Sequence, residues 1–344
     1  MKKQSKLLAL LLACAMTLAL SACGGNSATT STPAGSAAPA ASGSAAATGD
    51  KTYTIGICQL VQHNALDAAT KGFKDALTEK LGDKVKFDEQ NAAGDSANCA
   101  TICNQFVSSK VDLIMANATP ALQAATAATN SIPILGTSVT DYGTALSIAD
   151  WKGTTGTNVT GTADLAPLDK QAEMIKTLFP DKKNVGILYC SAEPNSKYQS
   201  TEITKYLTDA GYTCKEYTFA DSNDVAAVTK TACDESDVLY IPTDNTAASC
   251  AESINNIAEP AKVPIVAGES GICTGCGVAT LSIDYYDLGV VTGNMAYEVL
   301  VNGADPATTE IQFAPKTTYQ YMADRCEKLG VKVPSDYVAI EAEK

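Results

Sequence analysis

The stretch Val111-Asp-Leu-Ile-Met-Ala-Asn-Ala-Thr-Pro120 decides how this chain folds. Residues Leu113 to Asn117 are apolar and few, which predicts a short buried strand. Thr119 offers a hydroxyl at an N-cap position, and Pro120 suits the first turn of a helix that we expect over Ala121 to Thr129. A polar turn between a strand and a helix gathers free N–H groups and a positive dipole end, which favours a small anion.

The same pattern returns in the second half of the chain as Asp237-Val-Leu-Tyr-Ile-Pro-Thr-Asp-Asn-Thr-Ala247. Val263-Pro-Ile-Val-Ala-Gly likewise matches Ile132-Pro-Ile-Leu-Gly at an offset of 131 residues. Because strands that alternate with helices indicate parallel sheets, we predict an α/β protein with two Rossmann-like lobes. Two such turns that face each other would form a ligand cleft.

The predicted lobes are each built from two parts of the chain, because the tail adds one helix and one short strand. Lobe 1 is expected at 51–160 plus about 284–305, and lobe 2 at 161–283 plus about 306–344. The three crossings between the lobes predict a three-strand hinge.

The first 50 residues read as a targeting segment and a linker. A basic start, an apolar run and Leu20-Ser-Ala-Cys23 resemble a lipoprotein signal peptide over residues 1–22, with lipidation of Cys23. An ordinary secretory signal with an incidental cysteine is the alternative. Residues 23–50 are almost entirely small and polar, so we expect a flexible tether that links a lipid anchor on the outer face of the membrane to the folded body.

Composition argues against several functions. Removal of residues 1–22 leaves 22 basic and 38 acidic residues, a net charge of −16, which disfavours nucleic acid. A single histidine and no second Cys-x-x-Cys pair disfavour a metal site, and we expect no cofactor. No phosphate-binding loop, dinucleotide motif or nucleophile elbow occurs, so we expect no enzyme activity.

Ten cysteines remain beyond Cys23, and most lie in apolar or helical contexts. We expect the majority to be free, buried thiols that pack as small hydrophobes. Cys273 and Cys276 could instead close a local disulfide.

Several segments together resemble the ABC-transporter substrate-binding lipoproteins of the tryptophan/tyrosine uptake type. The resemblance covers about Tyr53 to Gly303, and it implies the type I periplasmic-binding fold. It also implies capture of a small zwitterionic solute, typically an aromatic amino acid, for a permease and its ATPase. The segments that carry it are Ile55-Gly-Ile-Cys-Gln-Leu-Val-Gln-His-Asn-Ala-Leu-Asp-Ala-Ala69, Ala118-Thr-Pro-Ala121, Asn158-Val-Thr-Gly161, Tyr189-Cys-Ser-Ala-Glu-Pro-Asn-Ser196, Ile241-Pro-Thr-Asp-Asn-Thr246 and Ile283-Asp-Tyr-Tyr-Asp-Leu-Gly289.

The candidate ligand contacts are polar residues at strand ends, since open α/β sheets bind ligands there. Ala118 and Thr119 are expected to bind a carboxylate, although Thr119 could simply cap its helix. Asp244 or Asp284 is expected to pair with an ammonium group, and Asp244 could equally be a cap. The other candidates are His63, Thr140, Asp141, Asn195, Ser196, Glu269 and Ser270, with Tyr189 as a possible wall for an aromatic ring.

Two other readings stay open at this stage. A tethered sensor that signals to a membrane receptor would use the same fold and cleft. The same fold could also bind a solute that is not an amino acid. In each case we expect a monomer that closes around its ligand at the hinge.

Overall fold

The computed structural model describes residues 51–341. The predicted signal peptide, Cys23 and the linker lie outside the described residues. Among residues 51–341, no helix combines the length and apolarity that a membrane crossing requires.

Strands and helices alternate along most of the described chain. The strands are β1 (Tyr53–Gln59), β2 (Val85–Asn91), β3 (Leu113–Asn117), β4 (Ile134–Val139), β5 (Val159–Ala163), β6 (Asn184–Cys190), β7 (Thr213–Phe219), β8 (Val238–Ile241), β9 (Ile265–Ala267), β10 (Ala279–Ile283), β11 (Gln312–Phe313), β12 (Thr317–Tyr321) and β13 (Val338–Ala339). The helices are α1 (Asn64–Leu81), α2 (Ser96–Ser109), α3 (Thr119–Ala128), α4 (Tyr142–Leu146), α5 (Leu168–Leu178), α6 (Pro194–Asp209), α7 (Val225–Glu235), α8 (Asn245–Ser249), α9 (Ala251–Ala261), α10 (Ser270–Cys276), α11 (Tyr285–Val301) and α12 (Ala323–Leu329).

The strands form two sheets, one in each lobe. The first has the order β11-β5-β4-β3-β1-β2, and all its pairs are parallel. The second has the order β13-β12-β10-β9-β8-β6-β7, in which only β12 and β10 run antiparallel. Strand β3 is buried along its whole length, as expected for a parallel sheet covered by helices on both faces. The α/β class with two parallel-dominated lobes is confirmed.

The chain crosses between the lobes three times, but two crossings differ from the predicted boundaries. Strand β5 belongs to the first sheet and extends to Ala163, so the first crossing follows residue 163 rather than 160. Strand β11 pairs with β5, so the last crossing follows Phe313 rather than residue 305. The physical reason is that a strand belongs to the sheet that satisfies its backbone hydrogen bonds.

Helix α11 returns to the first lobe and packs directly on α1. A Cβ atom on Gly289 would lie 2.1 Å from the backbone oxygen of Ala69, and one on Gly72 would lie 2.1 Å from that of Tyr286. Only glycine allows the two backbones to approach this closely. These two glycines therefore allow α11, which follows the second crossing, to pack directly on α1.

Candidate functional site

The carboxyl ends of the strands in the two lobes face each other, and the cleft between them is closed. His63 Nε2 lies 3.2 Å from Asn245 Oδ1 across the cleft. Gln199 Nε2 of lobe 2 donates a 3.2 Å hydrogen bond to Thr140 Oγ1 of lobe 1. Groups between these contacts are screened from solvent by both lobes.

The start of α3 contains a strained residue and an unpaired hydroxyl. Ala118, at φ 94° and ψ 158°, is the N-cap, so the prediction that Thr119 caps the helix is wrong. Thr119 is the first helical residue instead, and its buried Oγ1 has no hydrogen-bond partner. Ala118 N donates to Thr137 O. The N–H groups of Thr119 and Ala121, in the first helical turn, have no intrahelical acceptor.

Ser138 supplies a second buried, unpaired hydroxyl, and the sequence analysis missed it. It follows Thr137, which pairs with Asn117 at the end of β3. It lies where the register of β4 shifts between Gly136 and Val139, with a positive φ of 54°. Its Oγ is buried without a partner. A serine inside a strand gives no sequence signal here, because the register shift at this point arises from the pairing of β4 with β5.

Asp164 is a buried carboxylate at the first crossing, immediately after β5, and the sequence analysis did not single it out. Its Oδ2 accepts a 2.9 Å hydrogen bond from the Tyr285 hydroxyl, whereas its buried Oδ1 has no partner. Burial raises the pKa of Asp164 to about 6, although the hydrogen bond from Tyr285 opposes the rise. A carboxylate in this position is suited to a cation.

Asp244, predicted as an ammonium partner or a cap, has the capping geometry. Its Oδ1 accepts from Ala247 N, and its Oδ2 accepts from Cys190 N and Ser196 Oγ, each at 2.7 Å. Burial and the nearby charge of Glu193 raise the pKa of Asp244. Both oxygens already accept hydrogen bonds within lobe 2, so Asp244 and Ser196 fix the strand ends of that lobe.

Glu193 joins the two cleft-facing loops of lobe 2, although the sequence analysis did not single it out. Its buried carboxylate accepts hydrogen bonds from Asn195 Nδ2, from the N and Nδ2 of Asn245, and from the N and Oγ1 of Thr246. Asn195 Nδ2 also donates to Thr243 O at 3.0 Å, and its Oδ1 is buried and unpaired. The hydrogen bonds from Nδ2 hold the Asn195 amide in place, so its unpaired acceptor Oδ1 has a fixed orientation.

The remaining polar candidates are helix caps or lie away from the closed contact. Asp141 accepts from Thr144 N, and buried Glu269 accepts from the N–H groups of Gly271 and Ile272. Burial raises the pKa of Glu269, opposed by the nearby His63. Asp284 is exposed and caps α11, and with Ser270 it lines a separate cavity of about 380 Å³ at the hinge.

Two further predictions are corrected by the structure. Tyr189 packs in the core of lobe 2 and is 2% exposed, so it forms no wall of the cleft. Cys273 and Cys276 are free. They lie three residues apart on α10, where Cβ atoms are about 5–6 Å apart, whereas a disulfide needs about 3.8 Å. The other described cysteines are also free thiols, most of them buried.

The site as a whole offers unpaired acceptors and hydroxyls together with negative charge. Its buried carboxylates are Asp164, Glu193, Asp244 and Glu269, and none of the ion pairs in the described part of the chain involves them. Buried polar atoms are normally paired, so unpaired ones in a closed cleft indicate groups that a ligand satisfies.

A fold of two lobes that close on buried, unsatisfied polar groups is that of a solute-binding protein. The chain belongs to the ABC transporter substrate binding protein family, whose model matches residues 54–344. It is 40% identical over 265 residues to the tyrosine-binding protein of Clostridioides difficile, and the match covers 75% of this chain and 76% of the relative. Proteins of this family act outside the cytoplasm and bind substrates for transporters.

Solved structures show a similar arrangement of the lobes. The ABC domain of Streptococcus pneumoniae in complex with L-Trp is 34% identical and has a TM-score of 0.79, with 83% of this chain and 97% of that chain covered. A ligand-free, open substrate-binding protein with adhesive properties from Clostridium difficile is 36% identical but has a TM-score of 0.65, over 85% of this chain and 100% of that chain. The lobes of this chain therefore lie closer to the arrangement of the liganded neighbour.

Proposed function

We propose that this protein is a non-catalytic receptor that captures an aromatic L-amino acid outside the cell and delivers it to an ABC importer. The observation that carries the proposal is the set of buried, unpaired polar atoms in the closed cleft. They are Thr119 Oγ1, Ser138 Oγ, Asp164 Oδ1, Asn195 Oδ1 and His63 Nδ1.

The backbone groups of an amino acid match two kinds of group in this set, hydroxyl donors and a carboxylate. Its carboxylate would accept hydrogen bonds from Thr119, Ser138 and the first N–H groups of α3, where the helix dipole also favours negative charge. Its ammonium group would pair with Asp164. We assign this role to Asp164 in place of Asp244 or Asp284, which the sequence analysis predicted. Asp244 uses both oxygens within lobe 2, and Asp284 is exposed.

The aromatic side chain is supported by the relatives. The 40% identical relative is named a tyrosine-binding protein, and the 34% identical structure contains L-Trp. Tyrosine and tryptophan each carry a ring O–H or N–H donor, and Asn195 Oδ1 and His63 Nδ1 are unpaired acceptors for such a donor.

The test is a ligand screen by thermal shift and calorimetry on protein that has been unfolded and refolded to remove any carried-over solute. A ligand at 100 times its Kd stabilises by about 2.7 kcal/mol, which gives a clear shift. We expect shifts with tyrosine or tryptophan and none with sugars or nucleosides. Binding of a sugar in preference to every amino acid would overturn the proposal.

We further propose that the mature chain begins at Cys23 and is anchored by a lipid on that residue. The support is the Leu20-Ser-Ala-Cys23 sequence after a basic, apolar segment, followed by a small-residue linker. Mass spectrometry of the purified protein should show a diacylglycerol adduct on Cys23. Cys23→Ala should release the protein from membranes or leave it unprocessed; wild-type protein without an adduct would exclude the anchor.

A further inference from the structure

We infer that His63 and Asn245 form a latch between the lobes that sets how long a bound solute is retained, and that Glu193 positions this latch. The inference rests on the proposed function, because retention has meaning only for a protein that binds a solute. Nothing in the latch depends on the ligand being aromatic.

The latch is a direct contact between elements that move apart when the cleft opens. His63 precedes α1 in lobe 1, and Asn245 is the first residue of α8 in lobe 2. Their facing atoms, Nε2 and Oδ1, are 3.2 Å apart. Because the contact joins the two lobes, it contributes free energy only to the closed state.

Glu193 determines which way the Asn245 amide faces. Glu193 Oε2 accepts from Asn245 Nδ2 at 2.6 Å and from Asn245 N at 3.1 Å. The Nδ2 donor is therefore directed at Glu193, which leaves Oδ1 as the acceptor that faces His63. Five hydrogen bonds to the Glu193 carboxylate hold this arrangement before the lobes meet.

The orientation of Asn245 in turn fixes the role of His63. Facing an acceptor, Nε2 of the imidazole is the donor, so in the neutral ring Nδ1 carries the lone pair. Nδ1 is buried and has no protein partner. The same ring therefore contacts the other lobe with one nitrogen and keeps a buried, unpaired acceptor on the other.

An interaction made only in the closed state slows opening, and solute release requires opening. We therefore expect its loss to appear in the dissociation rate, whereas the association rate depends on encounter with the open cleft. One hydrogen bond of this kind corresponds to a roughly three- to tenfold change in rate.

The experiment measures L-tyrosine association and dissociation by stopped-flow fluorescence of the full-length chain in detergent. Trp151 is the single tryptophan and serves as the probe. We expect Asn245→Ala to raise the dissociation rate about three- to tenfold. His63→Ala should raise it at least as much, and the double variant should show no further rise over His63→Ala. His63→Gln, which keeps an amide donor, should restore most of the retention.

Glu193→Gln tests the positioning role. It should raise the dissociation rate in wild-type protein but not in the His63→Ala background. Gln62→Ala and Ser249→Ala, exposed neighbours of the two latch residues, are the matched controls and should leave both rates unchanged. Independent, multiplying effects of His63→Ala and Asn245→Ala would overturn the latch.

A second measurement separates the latch from the proposed function. If wild-type protein binds no aromatic amino acid, the proposed function fails, and the latch is read from backbone hydrogen exchange of the ligand-free protein. We expect His63→Ala to accelerate exchange at residues 245–249. Unchanged exchange there, like dissociation rates within twofold of wild type, would overturn the inference.

Discussion

The Tyr285 hydroxyl donates a 2.9 Å hydrogen bond to Oδ2 of Asp164, which joins two of the three crossings between the lobes. Asp164 directly follows β5 at the first crossing, and Tyr285 begins α11 after the second. The second carboxylate oxygen, Oδ1, stays unpaired and buried. A ligand cation at Oδ1 would therefore contact the hinge itself, so that ligand binding and lobe closure share one residue.

Asp164→Asn should cause the largest loss of amino-acid affinity among single substitutions in the cleft. The variant keeps the shape of the side chain but removes the charge that faces the ligand ammonium. Loss of one partner of a buried charge pair costs about 2–5 kcal/mol, or at least roughly 30-fold in Kd. Calorimetry with L-tyrosine measures this effect. Asp284→Asn, on the exposed cap of α11, is the control, and equal affinities of the two variants would exclude the role of Asp164.

The affinity should also fall in acid. Burial raises the pKa of Asp164 to about 6, so the folded protein favours the protonated carboxyl. The stability that this preference contributes is complete below the ordinary pKa of 3.8 and is lost as the pH rises through 6. A bound ammonium favours the ionised form, so Kd should be flat above pH 7 and rise about tenfold per unit below 6. Calorimetry from pH 5 to 8 tests this, and Asp164→Asn should abolish the dependence.

Tyr285→Phe should move that pH dependence in a defined direction. The Tyr285 hydroxyl stabilises the ionised carboxylate and lowers the pKa of Asp164. Its loss raises the pKa, so the midpoint of the affinity curve should shift to higher pH while affinity above pH 8 changes little. If the Tyr285 hydroxyl had only a structural role, its loss would lower affinity equally at every pH. The same calorimetric series distinguishes these outcomes.

The sequence was sufficient to predict the parts of the fold that depend on local pattern. Leu113 to Asn117 is a strand with the predicted bounds, because a short apolar run between a polar residue and a helix start has few alternatives. The predicted boundaries of the lobe crossings were less accurate than the predicted bounds of β3. The β5 and β11 strands owe their place to pairing with distant segments, which no local pattern encodes.

The site was predictable only in part, from polar residues close to the end of a strand. Thr119 lies two residues after β3, as expected for a ligand contact at a strand end, but Ser138 lies inside β4 where the register shifts. Asp164 and Asp244 looked alike as single acidic residues. Only their hydrogen bonds distinguish a carboxylate with a free oxygen from one that is fully used within its lobe.

Gly289→Ala should destabilise the first lobe and the hinge helix together. The added Cβ would lie 2.1 Å from the oxygen of Ala69, so α1 and α11 must separate. Overpacking of this kind typically costs about 1–3 kcal/mol. Thermal unfolding of the ligand-free protein measures the loss. Gly303→Ala, where a Cβ would meet no atom but φ is +72°, is the control for backbone strain alone.

Thr119→Val should weaken binding and yet leave the ligand-free protein as stable as before, or more stable. The Thr119 hydroxyl is buried and unpaired without ligand, so valine of similar shape removes a desolvated group that contributes no hydrogen bond. With ligand bound, the same change deletes a hydrogen bond to a charged carboxylate, worth about 1.5–3 kcal/mol, or roughly 10- to 150-fold in Kd. Thermal unfolding and calorimetry on one preparation give both quantities. If the hydroxyl only supported the helix, its loss would lower stability and affinity together. If it contacts the ligand, its loss lowers affinity while stability rises or stays unchanged.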